Sequence, residues 1–214
     1  MQIFPNFDFE EKNIFPVAGV DEVGRGPWAG PVIAAAVILD PKKIPLGIND
    51  SKKLSVKKRE ILYAEITSTS IASAIGLASV AEIDSLNILE ASKLAMQRAI
   101  EKLSITPNHL LIDGIHKPSS KYPCTTIIKG DQKSLSIAAA SIIAKVTRDR
   151  IMEDLAKIYP QYGWEKNAGY GTKLHQEGLE KYGANEHHRQ SFKPIKLYLR
   201  NTNSCSLESA AEKR

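Results

Sequence analysis

VAGVDEVGRGPWAGPVIAAAVIL, running from Val17 to Leu39, changes character twice within a few residues. Val17, Ala18, Gly19 and Val20 read as a short apolar strand that runs straight into two adjacent acids, Asp21 and Glu22. Carboxylates at the end of a buried strand repel one another and lose hydration, so they need cations or several hydrogen-bond donors close by. Gly24 to Pro31 holds three glycines and two prolines around Arg25 and Trp28, a composition suited to a tight loop with exposed N–H groups. Val32 to Leu39 is then a second apolar strand. The pattern predicts a hairpin that sets an anion site beside a metal site.

The rest of the chain supplies a core for that hairpin. Its 214 residues are 43% hydrophobic and 25% charged, enough for one domain, expected over residues 1–200. Residues 201–214 lack apolar periodicity and are expected to be a disordered tail. With 29 Lys and Arg against 24 Asp and Glu, the formal charge is +5 and the pI about 9.1, a balance that fits a polyanionic partner. Cys124 and Cys205 form no CxxC pair, which argues against a disulfide framework and a structural zinc site. There is neither a leader-like start nor an uninterrupted apolar run of spanning length. The expected state is a soluble, cytoplasmic monomer without an obligate protein partner.

In chain order, Met1 to Phe15 shows no clear period and reads as an irregular surface arm. Asp40 to Ser55 is a loop with a basic pair at Lys52 and Lys53. Ser55 can cap a helix whose apolar stripe is Val56, Ile61, Leu62 and Ile66. Lys57, Lys58 and Arg59 in its first turn oppose the macrodipole and hint at a phosphate contact. Ser70 to Val80 is a small-residue strand, the third of a meander, with Ile71, Ile75 and Leu77 as its apolar positions. Ala81 to Ser104 is helical, with Asn87 and Glu90 resembling a capping box and Leu89, Leu94, Ala95, Ile100 and Leu103 facing inward. His109 to Ile112 and Cys124 to Ile128 are buried strands that end at Asp113 and just before Asp131. Gln132 to Tyr159 is the longest helix, packing through Leu135, Ala139, Ile142 and Val146. Pro160 to Thr172 is a glycine and aromatic loop, and Lys173 to Tyr182 a short helix. Gly183 to Leu199 carries His187, His188, Arg189, Lys193 and Lys196 and completes a C-terminal helical lid with a basic face.

Strand ends thus deliver Asp21 with Glu22, Asp113 and Asp131, which can share one rim of an open, mostly parallel sheet. Such a gathering requires divalent cations, and hard oxygen ligands favour Mg²⁺ or Mn²⁺ over zinc. Two ions about 3.5 to 4 Å apart would activate a water and stabilise the leaving oxygen of a phosphodiester. Plainer readings stand beside this one. Asp113-Gly114 is by itself a turn sequence, and Asp131 a natural helix cap. The Gly-Arg-Gly loop reads equally as a hairpin connection and the lysines of the 52 to 58 run as a solvated face. His187 and His188 suit surface or core better than metal ligation, and Trp28, Tyr162 and Trp164 suit packing.

The order of the motifs favours the chemical reading. DEVGRGPWAGPV, NDSKKLS, LLIDG, IIKGD, AAASIIAKVTRDR and GYGT, spread between Val17 and Leu199, resemble ribonuclease HII, the bacterial type 2 ribonuclease H. The resemblance implies an α/β ribonuclease H-like fold: a five-stranded mixed sheet, three antiparallel strands first, with flanking helices and a C-terminal helical segment. It implies four catalytic and metal-binding acids at Asp21, Glu22, Asp113 and Asp131. Asp21 would be shared by two Mg²⁺ or Mn²⁺ ions, with Asp131 on the attacking-water side and Glu22 and Asp113 on the other. It implies substrate contacts at Gly24, Arg25, Gly26 and Tyr170, to which Lys52, Lys145 and Arg148 are added as candidate phosphate contacts. The implied substrates are RNA–DNA hybrids and DNA duplex carrying ribonucleotides, cut 5′ to the ribose. Trp28 and Ala168 depart from the family pattern, which has a smaller aliphatic residue and frequently Lys there. A type 3 ribonuclease H shares the acids, but Arg25 and the arm of sixteen residues before Val17 speak against it. A non-catalytic nucleic-acid-binding module and a hydrolase of small phosphate esters are the remaining readings.

Overall fold

The computed structural model describes residues 4–199, so the expectation for residues 201–214 lies outside the described residues. Five strands, β1 (Val17–Val23), β2 (Val32–Ile38), β3 (Ala72–Ala78), β4 (His109–Asp113) and β5 (Cys124–Ile127), form one sheet in the order β3-β2-β1-β4-β5. The first three are antiparallel, whereas β4 runs parallel to both β1 and β5. The helices are α1 (Asp8–Glu11), α2 (Val56–Thr69), α3 (Val80–Leu86), α4 (Ile88–Glu101), α5 (Leu135–Ile158), α6 (Trp164–Asn167), α7 (Lys173–Tyr182) and α8 (Lys193–Leu199). This is the expected mixed sheet with flanking helices. Among the described residues no helix is long and apolar enough to cross a membrane.

Every residue of β2 is buried, because the period-two alternation of a strand feeds two cores at once. Val32, Ala34, Ala36 and Ile38 join Ala18 and Val20 of β1 against Ala91, Ala95 and Ala99 of α4. Ile33, Ala35 and Val37 face Leu62 and Ile66 of α2 and Ala139, Ile142 and Val146 of α5. Small residues bring the helices close. A Cβ on Gly19 would lie 2.1 Å from the backbone carbon of Ser136, and one on Gly76 2.0 Å from the Ala95 carbonyl oxygen.

Several elements differ from the sequence expectation for local reasons. β1 continues through Asp21 and Glu22 to Val23, because β2 keeps pairing with it as far as Val23↔Ile33. The acids are therefore inside the strand rather than after it. β3 starts one residue after Ile71, which is exposed, as is Leu77 on this edge strand, while Ala72, Gly76 and Ala78 press inward. Of the α2 stripe only Leu62 and Ile66 are buried. Ala81 to Ser104 is broken at Asn87, whose φ of 73° ends α3 and whose side chain accepts from the Leu89 and Glu90 N–H groups to start α4. The reciprocal capping box is made instead by Ser79 and Glu82. The N-terminal arm is also more than surface. The Glu10 carboxylate, buried, accepts from the Ser134 hydroxyl and the Ser136 N–H, at 2.6 and 2.8 Å, and so anchors the start of α5.

Candidate active site

The site follows from strand register. β1 and β4 pair in parallel from Val17↔His109 to Val20↔Ile112, so Asp21 and Asp113 come next, side by side at one rim of the sheet. Alternation puts Asp21 on the α5 face and Glu22 on the α4 face, so the two adjacent acids flank the sheet's end. Asp131 arrives from the next strand. β5 ends at Ile127, Lys129 turns through the left-handed region at φ 56°, and Gly130–Gln132 form one 3₁₀ turn. The Gly130 N–H donates to Asp113 Oδ1 at 2.6 Å and ties this turn to β4. A Cβ on Gly130 would lie 3.2 Å from the same oxygen and 2.6 Å from Ile137 Cδ1, so a larger residue would press on both side chains. Asp131 does not cap α5; the Ser134 side chain does, by accepting from the Ile137 N–H.

These carboxylates lie within one another's fields. Burial, with Asp21 only 7% exposed, and then the charges of Glu22, Asp113 and Asp131 hold the Asp21 carboxyl well above the usual carboxylate range. Burial also raises Glu22, against the opposing pull of Arg25, whose guanidinium lies 3.4 Å away. Asp131, 5% exposed, is pushed up to about 6 by burial and then by Asp50 and Asp113. Lys52 stands 4.0 Å from Asp131; partial burial works against its charge, but the field of Asp131, Asp21, Asp50 and Asp113 prevails and raises it. One ammonium group cannot neutralise so many carboxylates. Among the described residues no three His, Cys, Asp or Glu side chains converge into a ready-made metal cage. An open set of hard oxygen donors suits Mg²⁺ or Mn²⁺, which keep several waters, and the residues present fit such cations.

Asp21 and Glu22 line an open cleft with Ser51, Lys52, Lys145 and Tyr170. Glu22, Arg25 and Asp113 line an adjoining one. The Tyr170 ring, 49% exposed, faces Gly26: a Cβ there would lie 3.4 Å from Tyr170 Cε1. Gly169, at φ 83°, supplies the turn before it. Lys145 is paired with Asp149 at 2.6 Å. Arg148 requires a correction. It is 1% exposed and donates to the carbonyls of Ala29, Pro31 and Ala168, at 3.0, 3.0 and 2.8 Å, so it has no surface to offer a phosphate. Arg59 is likewise turned inward, donating to the Ser51 and Leu54 carbonyls at 3.1 and 2.7 Å.

Two groups near the site escaped the sequence reading. Asp50, buried, accepts from the Lys52 N–H at 2.9 Å and from Gln132 Nε2 at 3.2 Å, linking the NDSKKLS turn to the Asp131 turn. Its place beside the Lys52–Lys53 pair was the available signal. Arg189, expected on a basic outer face, is fully buried and lies 5.1 Å from the Phe192 ring centroid. His188 is buried too, with its imidazole 3.1 Å from that of His175, and burial pushes it down to about 3. Trp28 lies over Gly171, where a Cβ would come within 2.2 Å of its ring, which makes it a packing residue.

A family model described as Ribonuclease HII matches residues 18–195. The chain is 55% identical over 191 residues to the ribonuclease HII of Bacillus cytotoxicus, covering 89% of this chain and 73% of that one. It is 52% identical over 193 residues to the ribonuclease HII of Wolbachia sp. subsp. Brugia malayi, covering 90% and 95%. Among solved structures, the ribonuclease H2 from Pyrococcus horikoshii OT3 is similar with a TM-score of 0.77 at 28% identity, covering 87% of this chain and 98% of that one.

Proposed function

The chain belongs to the ribonuclease HII family and is accordingly a ribonuclease H hydrolase, and from that premise we propose the substrates and mechanism that its cleft fits. It hydrolyses the RNA strand of RNA–DNA hybrids and nicks DNA duplex on the 5′ side of an embedded ribonucleotide, leaving a 3′-hydroxyl and a 5′-phosphate. The observation that carries this reading is the side-by-side placement of Asp21 and Asp113 at the rim where Asp131 and the Gly-Arg-Gly loop also meet.

Asp21 would be shared between two divalent cations, with Glu22 and Asp113 toward one and Asp131 toward the other. Bound Mg²⁺ or Mn²⁺ supplies activation of a water and neutralises charge on the leaving oxygen. The protein's own residues orient the strand. Lys52 draws phosphates toward the cleft, and Lys145, paired with Asp149, contributes less. Selection of RNA must use the 2′-hydroxyl, the group that the two sugars do not share. The exposed Arg25–Gly26 turn can bring its backbone to that hydroxyl because Gly26 carries no side chain. Tyr170, across from Gly26, lies against the sugar at the RNA-to-DNA junction.

The test offers one sequence in three forms: RNA–DNA hybrid, DNA duplex with a single ribonucleotide, and DNA throughout, each with Mg²⁺ and with chelator. Cutting of the first two only, with Mg²⁺ only, and a single product pair ending 5′ to the ribose is expected. Cleavage of the all-DNA duplex, or no cutting at the lone ribonucleotide, contradicts the reading.

A further inference from the structure

Arg148 of α5 and Arg189 of the turn before α8 approach the Gly24–Pro31 loop from behind, and both are essentially without solvent exposure. Arg189 donates to the carbonyls of Gly24, Arg25 and Gly30, at 2.5, 3.0 and 2.8 Å. Arg148 donates to those of Ala29 and Pro31 and, through its remaining nitrogen, to Ala168 at 2.8 Å, two residues before Tyr170. Gly24 leaves room for this grip, since a Cβ there would lie 2.3 Å from Arg148 Nε. The turn that carries Arg189 is fixed in its turn by Asp84, whose carboxylate accepts from the Gln190 and Ser191 N–H groups at 3.0 and 2.9 Å.

This arrangement is electrostatically expensive. Two guanidinium groups are dried in one place with no carboxylate bonded to either among the described residues, and burial followed by the charge of Arg148 lowers Arg189 to about 9. A loop that needed only closure could satisfy its carbonyls with water or hydroxyls. What arginine adds is a rigid planar fork whose donors fix several carbonyls in set directions.

Direction matters because a trans peptide points its N–H opposite to its C=O. The peptides after Gly24 and Arg25 are trans, and both carbonyls are turned inward onto Arg189. The N–H groups of Arg25 and Gly26 therefore point outward, at two exposed residues between buried Gly24 and buried Pro27. Neither N–H has an acceptor among the described residues, whereas those of Trp28 and Gly30 donate to Gly169 and His187. We propose that Arg189 and Arg148 are positioning residues for sugar recognition: Arg189 aims the Arg25 and Gly26 N–H groups at the 2′-hydroxyl, and Arg148 sets the spacing between that loop and Tyr170.

The inference rests on the functional reading above and is tested apart from it by binding in chelator, where no cutting occurs. The readout is the ratio of Kd for an all-DNA duplex to Kd for an RNA–DNA hybrid of the same sequence. Arg189→Lys and Arg148→Lys, which keep the charge, are expected to lower that ratio about tenfold, the worth of roughly one net hydrogen bond, with all-DNA affinity unchanged. A ratio as large as that of the wild type in both variants overturns the inference while leaving the function standing. A wild-type ratio of one also overturns the inference, since the loop then reads no 2′-hydroxyl on binding, and leaves the functional reading to the cleavage test. Amide exchange in the wild-type protein decides independently should a variant fail to fold. The Arg25 and Gly26 amides are expected to exchange freely in the free protein and to be protected by hybrid but not by all-DNA duplex; protection in the free protein would overturn the proposal.

Discussion

Asp21 sits in a place that its own burial has dried and that three other carboxylates have made negative. A carboxyl whose pKa is raised in the folded state adds stability fully below its unfolded pKa, and that contribution is lost as pH rises through the folded value. For Asp131 the window runs from the ordinary 3.8 to about 6, and for Asp21 it begins at the same place and extends upward. Buried His188, lowered to about 3, adds stability as pH rises over the same range, so the carboxylate contribution is read against Asp21→Asn: in chelator, the melting temperature of the wild type relative to that variant is expected to fall as pH rises from 4 to 8, and saturating Mg²⁺ to restore it at pH 8 but not at pH 4. Asp21→Asn removes part of the repulsion: thermal melts in chelator at pH 8 should show a rise over wild type of several degrees, together with loss of hybrid cleavage. A lower melting temperature for the variant under those conditions would show that the carboxylate is not destabilising. Tyr170 belongs to the same scale. Its side chain is about half exposed, so Tyr170→Ala should fold normally yet lose its preference for a lone ribonucleotide over a long hybrid, measured as the ratio of kcat/KM on the two.

At the scale of elements, the site depends on how closely α5 lies on β1. Gly19 faces the first turn of α5, and an added Cβ would overlap the Ser136 backbone, which cannot swing aside as a side chain can. Gly19→Ala should therefore cost about 3 kcal/mol or more in denaturant unfolding, at the upper end for overpacked cores. A change below about 1 kcal/mol would mean that α5 shifts without penalty. Strands and the three antiparallel partners were legible from apolar runs and turns, and the order of motifs supplied the parallel half. Boundaries were less so. Where β1 ends is set by its partner β2 and not by its own residues, so the sequence placed Asp21 after the strand when it lies within it. Asn87 was read correctly as a cap, but the helix it interrupts was read as continuous, because an apolar stripe does not report a residue at φ 73°. The arginines were the largest misreading. Arg148 and Arg189 look like surface charges in a basic segment, and only the folded loop reveals the carbonyls that bury them.

For the whole molecule, a formal charge of +5 on 214 residues makes association with a polyanion salt-dependent without fixing its sequence. Lys52, with most of its side chain in solvent beside the cleft, is free to release counterions from a phosphate, whereas Lys145 is committed to Asp149. Lys52→Ala is expected to reduce the slope of log K against log salt by about 0.9, and Lys145→Ala by less. Equal slopes for wild type and Lys52→Ala would take that residue off the binding surface. The four acids were nameable from sequence because their motifs are distinctive; the field they share, and the part of Asp50 in it, needed the fold. Mn²⁺ binding, counted from the electron paramagnetic resonance signal of the free ion at pH 8, tests that shared field most directly. The account predicts saturable binding by the wild-type protein and affinity at least about tenfold weaker in Asp21→Asn, a charge-assisted ligand having been removed. Equal Mn²⁺ affinity in the two proteins would contradict it.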